Sequence, residues 1–334
     1  MQVLSRNGIH LPALDLWLDP HHVRPSAFVS HAHADHMRAH PRVVTTPSTA
    51  AMMRQRGARR TKFQEVEFGQ AVPWNRGQVT LVPAGHVLGS AQMLVEFEGV
   101  RLLYSGDFKL KPGLAAEAAE VPRADIVVME TTFGRPRYRF PPAEDVLGQI
   151  RDWCRATLDE GACPVLLTYS LGKGQEVLAG LRGLDAPIYL QNEHWQIAKI
   201  YEAWGVRFPD YELFDHKEQL HGSLPGVLLC SSMCRNTGWF SRLARTRTAY
   251  ISGWAQDGGP RRFKTDAAFT LSDHADYDDL ISYVEQTGAS TVFTLHGFEE
   301  EFAADLRERG LEARPLKEAE VPREYPKQMA LFEG

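Results

Sequence analysis

The sequence predicts an α/β fold, and three observations predict it. Short β-rich apolar runs recur in both outer parts of the 334-residue chain, and each stops at a histidine or a carboxylate. One of these stops, residues 29–37 (Val-Ser-His-Ala-His-Ala-Asp-His-Met), packs three histidines and an aspartate into six positions. Between about residues 141 and 250 the strand-then-ligand pattern gives way to helix and strand signals of another kind, as an inserted segment would.

Taken in order, Ser26–Val29 reads as a short buried strand, so the cluster begins at a sheet edge. His31 and His33 lie two apart and point the same way on extended chain, while Asp35 and His36 fall on the turn that follows and reach a neighbouring point. A lone His-x-His is usually a polar surface loop, but His-x-His-x-Asp-His after a strand suits two adjacent metal ions. Imidazole with carboxylate favours zinc, manganese or iron over magnesium or calcium. The run Val79–Val82 then delivers His86, with Gly85 permitting a tight bend. Arg101–Tyr104 leads to Gly106-Asp107, and Thr291–Leu295 leads to His296-Gly297.

Composition bounds the remaining possibilities. With 43% hydrophobic residues the chain can build sizeable cores. No window reaches the apolar length of a membrane span, and no basic segment leads into an apolar one near Met1, so a cytoplasmic location is expected, without membrane association. Cys154, Cys163, Cys230 and Cys234 match no zinc-finger spacing and read as reduced thiols. A net charge of −5 does not advertise nucleic-acid binding for the whole molecule. Any such binding must be local, and two basic stretches qualify: Arg54 to Lys62, and Arg261-Arg262-Phe263-Lys264.

In the middle segment a helix is expected from Ala143 to Leu158, a strand at Pro164–Thr168, and a second helix opened by Ser170-Leu171-Gly172-Lys173-Gly174-Gln175-Glu176. That opening is either an anion site, with free backbone N–H groups and Lys173, or a structural cap. It is not a P-loop, since no Ser or Thr follows the lysine.

The ligand set His31, His33, Asp35, His36, then His86, then Gly106-Asp107 resembles the metallo-β-lactamase superfamily, a four-layer αββα sandwich. Val128-Met129-Glu130-Thr131-Thr132-Phe133-Gly134, Ser272-Asp273-His274-Ala275-Asp276-Tyr277 and Leu295-His296-Gly297 resemble the three extra motifs of its β-CASP nucleases, in which an α/β domain is inserted. Ile251-Ser252-Gly253-Trp254, with an arginine pair after it, resembles the bacterial DNA ligase-associated exonucleases. The resemblance implies a metallo-β-lactamase domain in two halves, 1–140 and 251–316, an inserted domain at 141–250, and an extended tail at 317–334.

It also implies a role for each residue. Two divalent ions, zinc or manganese with iron as a further option, would be held by His31, His33 and His86 on one side and Asp35, His36 and His296 on the other, with Asp107 bridging. Cations about 4 Å apart activate a shared water and stabilise charge on an attacked phosphate. Asp35, Glu130 and His274 form the catalytic group, Glu130 fixing the tautomer of His274 and His274 serving the leaving oxygen. Asp19, with Asp15 as the alternative, would orient a ligating histidine. Thr131, Thr132, Lys173, Arg261, Arg262 and Lys264 would meet substrate phosphates, and Trp239, Phe240 or Trp254 would stack bases.

The implied activity is a single-strand-preferring exodeoxyribonuclease of DNA repair, the 5′ end favoured, with a DNA ligase and a helicase of the same pathway as partners. An RNA-processing nuclease of the same fold and an inactive metal-binding scaffold are the alternatives. In the tail, Gln328, Met329, Leu331 and Phe332 resemble the short peptide that docks repair enzymes on the sliding clamp.

Overall fold

A computed structural model describes residues 1–5, 8–216 and 224–317. Two of its three sheets face each other. The first runs, in spatial order, Leu4–Ser5, Ile9–Leu11, Leu16–Leu18, Ser26–Phe28, Arg42–Thr45 and Lys62–Glu65. The second runs Glu312–Pro315, Thr291–Gly297, Ile126–Thr131, Val100–Tyr104, Ala91–Phe97, Gly77–Pro83 and Ala71–Trp74. Leu11, Leu16, Leu18, Phe28 and Val44 of the first sheet interlock with Val79, Leu81, Met93, Val95, Leu102, Tyr104 and Val128 of the second.

Two-residue alternation sends the intervening side chains to the far face of the second sheet. There Leu94, Leu103, Val127, Met129 and Val292 pack on Leu280 and Val284 of helix Tyr277–Thr287 and on Phe302 and Leu306 of helix Glu299–Glu308. The far face of the first sheet buries Val43 against Met52 and Met53 of helix Pro47–Gln55. Helix, sheet, sheet, helix is therefore the layer order, as expected. It follows from strands that carry apolar side chains on both faces.

The third sheet is all parallel, in the order Glu212–Leu213, Ile188–Leu190, Val227–Cys230, Cys163–Leu167, Thr246–Ile251, Ala267–Phe269. Helices Ala143–Asp159 and Lys173–Gly180 cover one face through Val146, Leu147, Ile150, Val177 and Leu178. Strand Ala267–Phe269 pairs with Thr246–Ile251, so residues up to Phe269 belong to this sheet, where the sequence reading has the chain leaving it at residue 251. The short run Ala-Ala-Phe offers too little period for sequence reasoning to assign it. All four cysteines are free and buried, and no helix among the described residues is long and apolar enough to cross a membrane. The clamp-like residues Gln328, Met329, Leu331 and Phe332 lie outside the described residues.

Candidate metal centre

The ligand-type residues converge at one end of the two facing sheets. His31 and His33 follow strand Ser26–Phe28, His86 follows Gly77–Pro83, and Asp107 follows Val100–Tyr104. One ligand atom from each of these four lies within 4.8 Å of the others. The hydrogen bonds around the rings decide which nitrogen of each faces inward. His33 Nε2 lies 3.1 Å from the Leu171 carbonyl, and His86 Nδ1 lies 2.8 Å from the Asp273 carbonyl. A carbonyl only accepts, so both nitrogens carry the proton. Ser30 Oγ donates to Asp19 and accepts from His31 Nδ1 at 3.0 Å.

With their outer nitrogens protonated, the inner ones are bare lone pairs. His31 Nε2 sits 3.0 Å from His33 Nδ1, and His86 Nε2 sits 3.1 Å from the same atom. Asp107 Oδ2 stands 3.6 Å from His31 Nε2 and 3.9 Å from His86 Nε2. Neighbouring donors around a tetrahedral ion with bonds of 2.0–2.1 Å are separated by about 3.3 Å. Lone pairs converging at this spacing repel one another unless a cation lies among them, so the donor set fits a divalent metal.

Electrostatics agree with the geometry. Burial lowers the pKa of His31, His33 and His86, that of His86 to about 3, so all three are neutral as ligation requires. Burial acts against the Asp107 carboxylate, but His36 beside it overcomes this and holds it ionised. For His36 the balance reverses: burial lowers its pKa, yet Asp107 and Asp19 carry it well above the ordinary value. Where two carboxylates face it, the imidazole takes a proton in the position a second cation would fill.

That second position is looser. His36 Nε2 lies 3.3 Å from Asp107 Oδ2 and 4.0 Å from Asp35 Oδ2. The His296 ring centroid is 5.6 Å from that of His36. His296 stands exposed at the cleft beside a register shift: Glu130 pairs with Leu295 and Thr131 with Gly297, leaving His296 as the extra residue, at φ +57°. A bulge turns a side chain out of the ladder in this way. Asp19, rather than Asp15, is the residue that reaches the centre: it accepts from the Ser30 amide at 2.7 Å, from Tyr104 Oη at 2.8 Å and from His36 Nδ1 at 2.8 Å. The Asp15 side chain is exposed beside His10.

Glu130 and His274 form the next layer. Glu130 is buried, accepts from the Phe108 amide at 2.8 Å, and has both oxygens 2.9 Å from His274 Nδ1. Burial works against the imidazolium, but Glu130 outweighs it and lifts His274 to about 10. The His274 ring lies 4.6 Å from that of His86. Both His274 and Asp107 line a cleft of about 370 Å³ that also touches His33, Asp35, His36, Thr132 and His296.

Several expected substrate contacts are placed elsewhere. Lys173 is buried, with Nζ 3.0 Å from Asp273 Oδ1, and so is a structural ion-pair partner instead of a phosphate contact. Arg261, Arg262 and Lys264 do not line the cleft, and Arg262 pairs with Asp257. Thr131 is buried and donates to the His296 carbonyl, whereas Thr132 borders the cleft and donates to Glu130. Trp239 packs on Phe214 and Phe240, away from the cleft; Trp254 lines it, against Phe133. Arg56, Tyr169, Ser252 and Asp273 also line it and carried no assignment from sequence. Arg56 was legible only as one charge in a basic run.

Residues 14–168 match the family model described as the beta-lactamase superfamily domain. Over 315 residues the chain is 45% identical to a "Probable DNA ligase" of Opitutus terrae, covering 93% of this chain and 31% of that protein. It is 24% identical to an "RNase J-like protein" of Methanocaldococcus jannaschii over 54% of this chain and 50% of that one. It is 26% identical to "Endoribonuclease YSH1" of Kluyveromyces lactis over 40% of this chain and 16% of that one. The chain thus spans half or less of these relatives' lengths. A crystal structure of a protein of unknown function from Enterococcus faecalis V583 superposes with a TM-score of 0.57 at 15% identity, over 82% of this chain and 76% of that one, which bears on the fold alone. With the layer order, the ligand loops at the strand ends and the matched domain in agreement, the chain carries a metallo-β-lactamase fold domain, and β-CASP nucleases are among its homologues.

Proposed function

We propose that this chain is a metal-dependent phosphodiesterase that cuts single-stranded DNA from one end, the 5′ end favoured, in repair. The observation that carries the reading is that one cleft, lined by His33, Asp107 and His274, joins two groups: the bare nitrogens of His31, His33 and His86 gathered around Asp107, and the Glu130–His274 pair. A small-ester hydrolase has no need of that second pair, and an inactive scaffold has no reason to keep both. DNA rather than RNA is supported by the extent of likeness: the relative named a DNA ligase matches over 93% of this chain, and the RNase J-like and YSH1 relatives over 54% and 40%.

His31, His33 and His86 would hold one ion and Asp35, His36 and His296 the other, with Asp107 shared. Two bound cations would supply an activated water and charge stabilisation for in-line attack on phosphorus. The chain's own part is positional and protonic. Asp19 and Ser30 orient His36 and His31, and Leu171 and Asp273 orient His33 and His86 through their carbonyls. His274, pinned through Nδ1 by Glu130, presents Nε2 to the cleft and gives its proton to the departing oxygen. Thr132 bridges Glu130 to the cleft wall. Residues from about 141 to 270 are read as the inserted domain that closes the cleft.

The test uses matched single-stranded DNA and RNA oligonucleotides, each labelled at one end, with Mn²⁺ or Zn²⁺, beside His33→Ala and Asp107→Ala. Stepwise shortening of DNA from one end, absent in both variants, is expected. Cleavage of RNA alone would move the chain to the RNA-processing alternative, and no metal-dependent cleavage of either would leave the scaffold. A ligase, a helicase and the sliding clamp are the proposed partners; deleting residues 327–334 should abolish retention on immobilised clamp while leaving cleavage of naked DNA intact.

A further inference from the structure

Of the six large apolar or aromatic side chains that the described residues leave exposed, Tyr169 alone borders the cleft, at 59% exposure. Its placement follows from the third sheet. Strands Cys163–Leu167 and Thr246–Ile251 are adjacent and parallel, and the loops leaving their carboxyl ends carry Tyr169 and Trp254. Both rings face the same cleft as Asp107 and His274. The carboxyl edge of a parallel sheet is where α/β domains bind ligands.

The Tyr169 loop is firmly held. The Tyr169 carbonyl accepts from the Gly174 amide at 2.9 Å, and Thr168 Oγ1 lies 2.9 Å from His194 Nε2. A Cβ on Gly174 would stand 2.7 Å from the His194 ring, so the turn beneath the tyrosine is closely packed. A rigid loop thus presents an aromatic ring to water beside a polar centre. Trp254 is anchored on the other side by Phe133 and Tyr138. Arg56 completes the rim, 4.0 Å from Glu193.

We propose that Tyr169, with Trp254, forms a stacking subsite for an unpaired nucleobase next to the phosphate being cut, and that this subsite makes the enzyme prefer single strands. The inference rests on the nucleic-acid reading above. Inside a duplex both faces of a base are covered by its neighbours, so a protein ring can cover only a base that has left the stack. Stacking is indifferent to base identity, because every base offers a π face. The subsite therefore selects strandedness without selecting sequence.

The test binds a single-stranded oligonucleotide carrying 2-aminopurine, in chelator so that no cleavage intervenes, to the full chain and to Tyr169→Ala and Tyr169→Phe. The wild type and the phenylalanine variant should quench the fluorophore, and the alanine variant should lose the quenching and bind about tenfold more weakly. In Mn²⁺, kcat/KM should favour the normal oligonucleotide over an abasic one of equal length and charge, and Tyr169→Ala should remove most of that ratio. Equal quenching and an equal base-to-abasic ratio in wild type and Tyr169→Ala would overturn the subsite while leaving the nuclease reading intact. Binding and quenching without cleavage would support the subsite and refute the nuclease. Absence of binding by the wild type together with absence of cleavage in Mn²⁺ would refute both.

Discussion

Glu130 carries two tasks through one carboxylate: it receives the Phe108 amide and it holds His274. Replacing it with glutamine removes the charge that raises His274 to about 10. A general acid must be protonated, so activity is lost as pH rises through its pKa, and the alkaline limb of the kcat/KM profile should move to lower pH in Glu130→Gln. At pH 8 the loss should be about 10²-fold or more. Asp19 sits one contact away from the proposed metal ligands, touching His36 directly and His31 through Ser30. Asp19→Asn should weaken metal retention about 10- to 100-fold in a chelator competition while the circular-dichroism spectrum is unchanged. Most of the proposed centre is legible residue by residue, because its ligand-type residues follow the ends of β-rich runs. Asp273 is not, since its part is played by a main-chain carbonyl and by a carboxylate turned toward Lys173; neither has a local sequence mark.

The elements add what single residues cannot. Gly297 has φ +81°, and a Cβ there would stand 2.5 Å from the Thr131 carbonyl, so the bulge that releases His296 depends on glycine. Gly297→Ala should weaken the site built on His36, Asp35 and His296 more than the three-histidine site, and metal analysis should read a loss approaching one ion of two. The helix that opens at Lys173 reads from its glycines as either an anion site or a cap; Gln175 Oε1 accepts from the Gly172 amide at 2.8 Å, which is a cap, and Lys173 itself pairs with Asp273. Burial lowers the Lys173 pKa, while Lys173 holds Asp273 far below the usual carboxylate range. Lys173→Met would leave that carboxylate buried without its partner, at about 3–5 kcal/mol in a urea titration. Helix and strand boundaries in this region were foreseen to within a few residues from their periodicity, as at Ala143–Asp159 and Cys163–Leu167. The pairing of Lys173 with Asp273 was not, because a contact across 100 positions has no local period.

At the scale of the whole molecule, acid should act through buried neutral histidines. His194 is buried beside Thr168, and burial lowers its pKa to about 3. The unfolded chain binds a proton near pH 6.5 that the folded one refuses, so this stabilisation is complete above 6.5 and is lost as pH falls toward 3. Between pH 7.5 and pH 5 the loss should be about 2 kcal/mol for this group, and His194→Gln should flatten the pH dependence of the urea midpoint by that amount. The layered architecture was expected from the resemblance of the ligand motifs, and strands apolar on both faces account for it. The third sheet's outer strand could not, since Ala267–Phe269 is identified only by its neighbour.

The pairing of Ile126 with Thr291 has a consequence for how the molecule is made. Strand Ile126–Thr131 leaves the ribosome 165 positions before its parallel partner, a gap of roughly 10–30 s at translation rates of about 5–20 residues per second. Through that interval the nascent chain displays an open, apolar β edge that its own later residues must cover. The third sheet draws its strands from within the intervening stretch, so it can complete itself first. Synthesis should therefore be the moment of greatest exposure to chaperones and to aggregation, and slower translation should lengthen it.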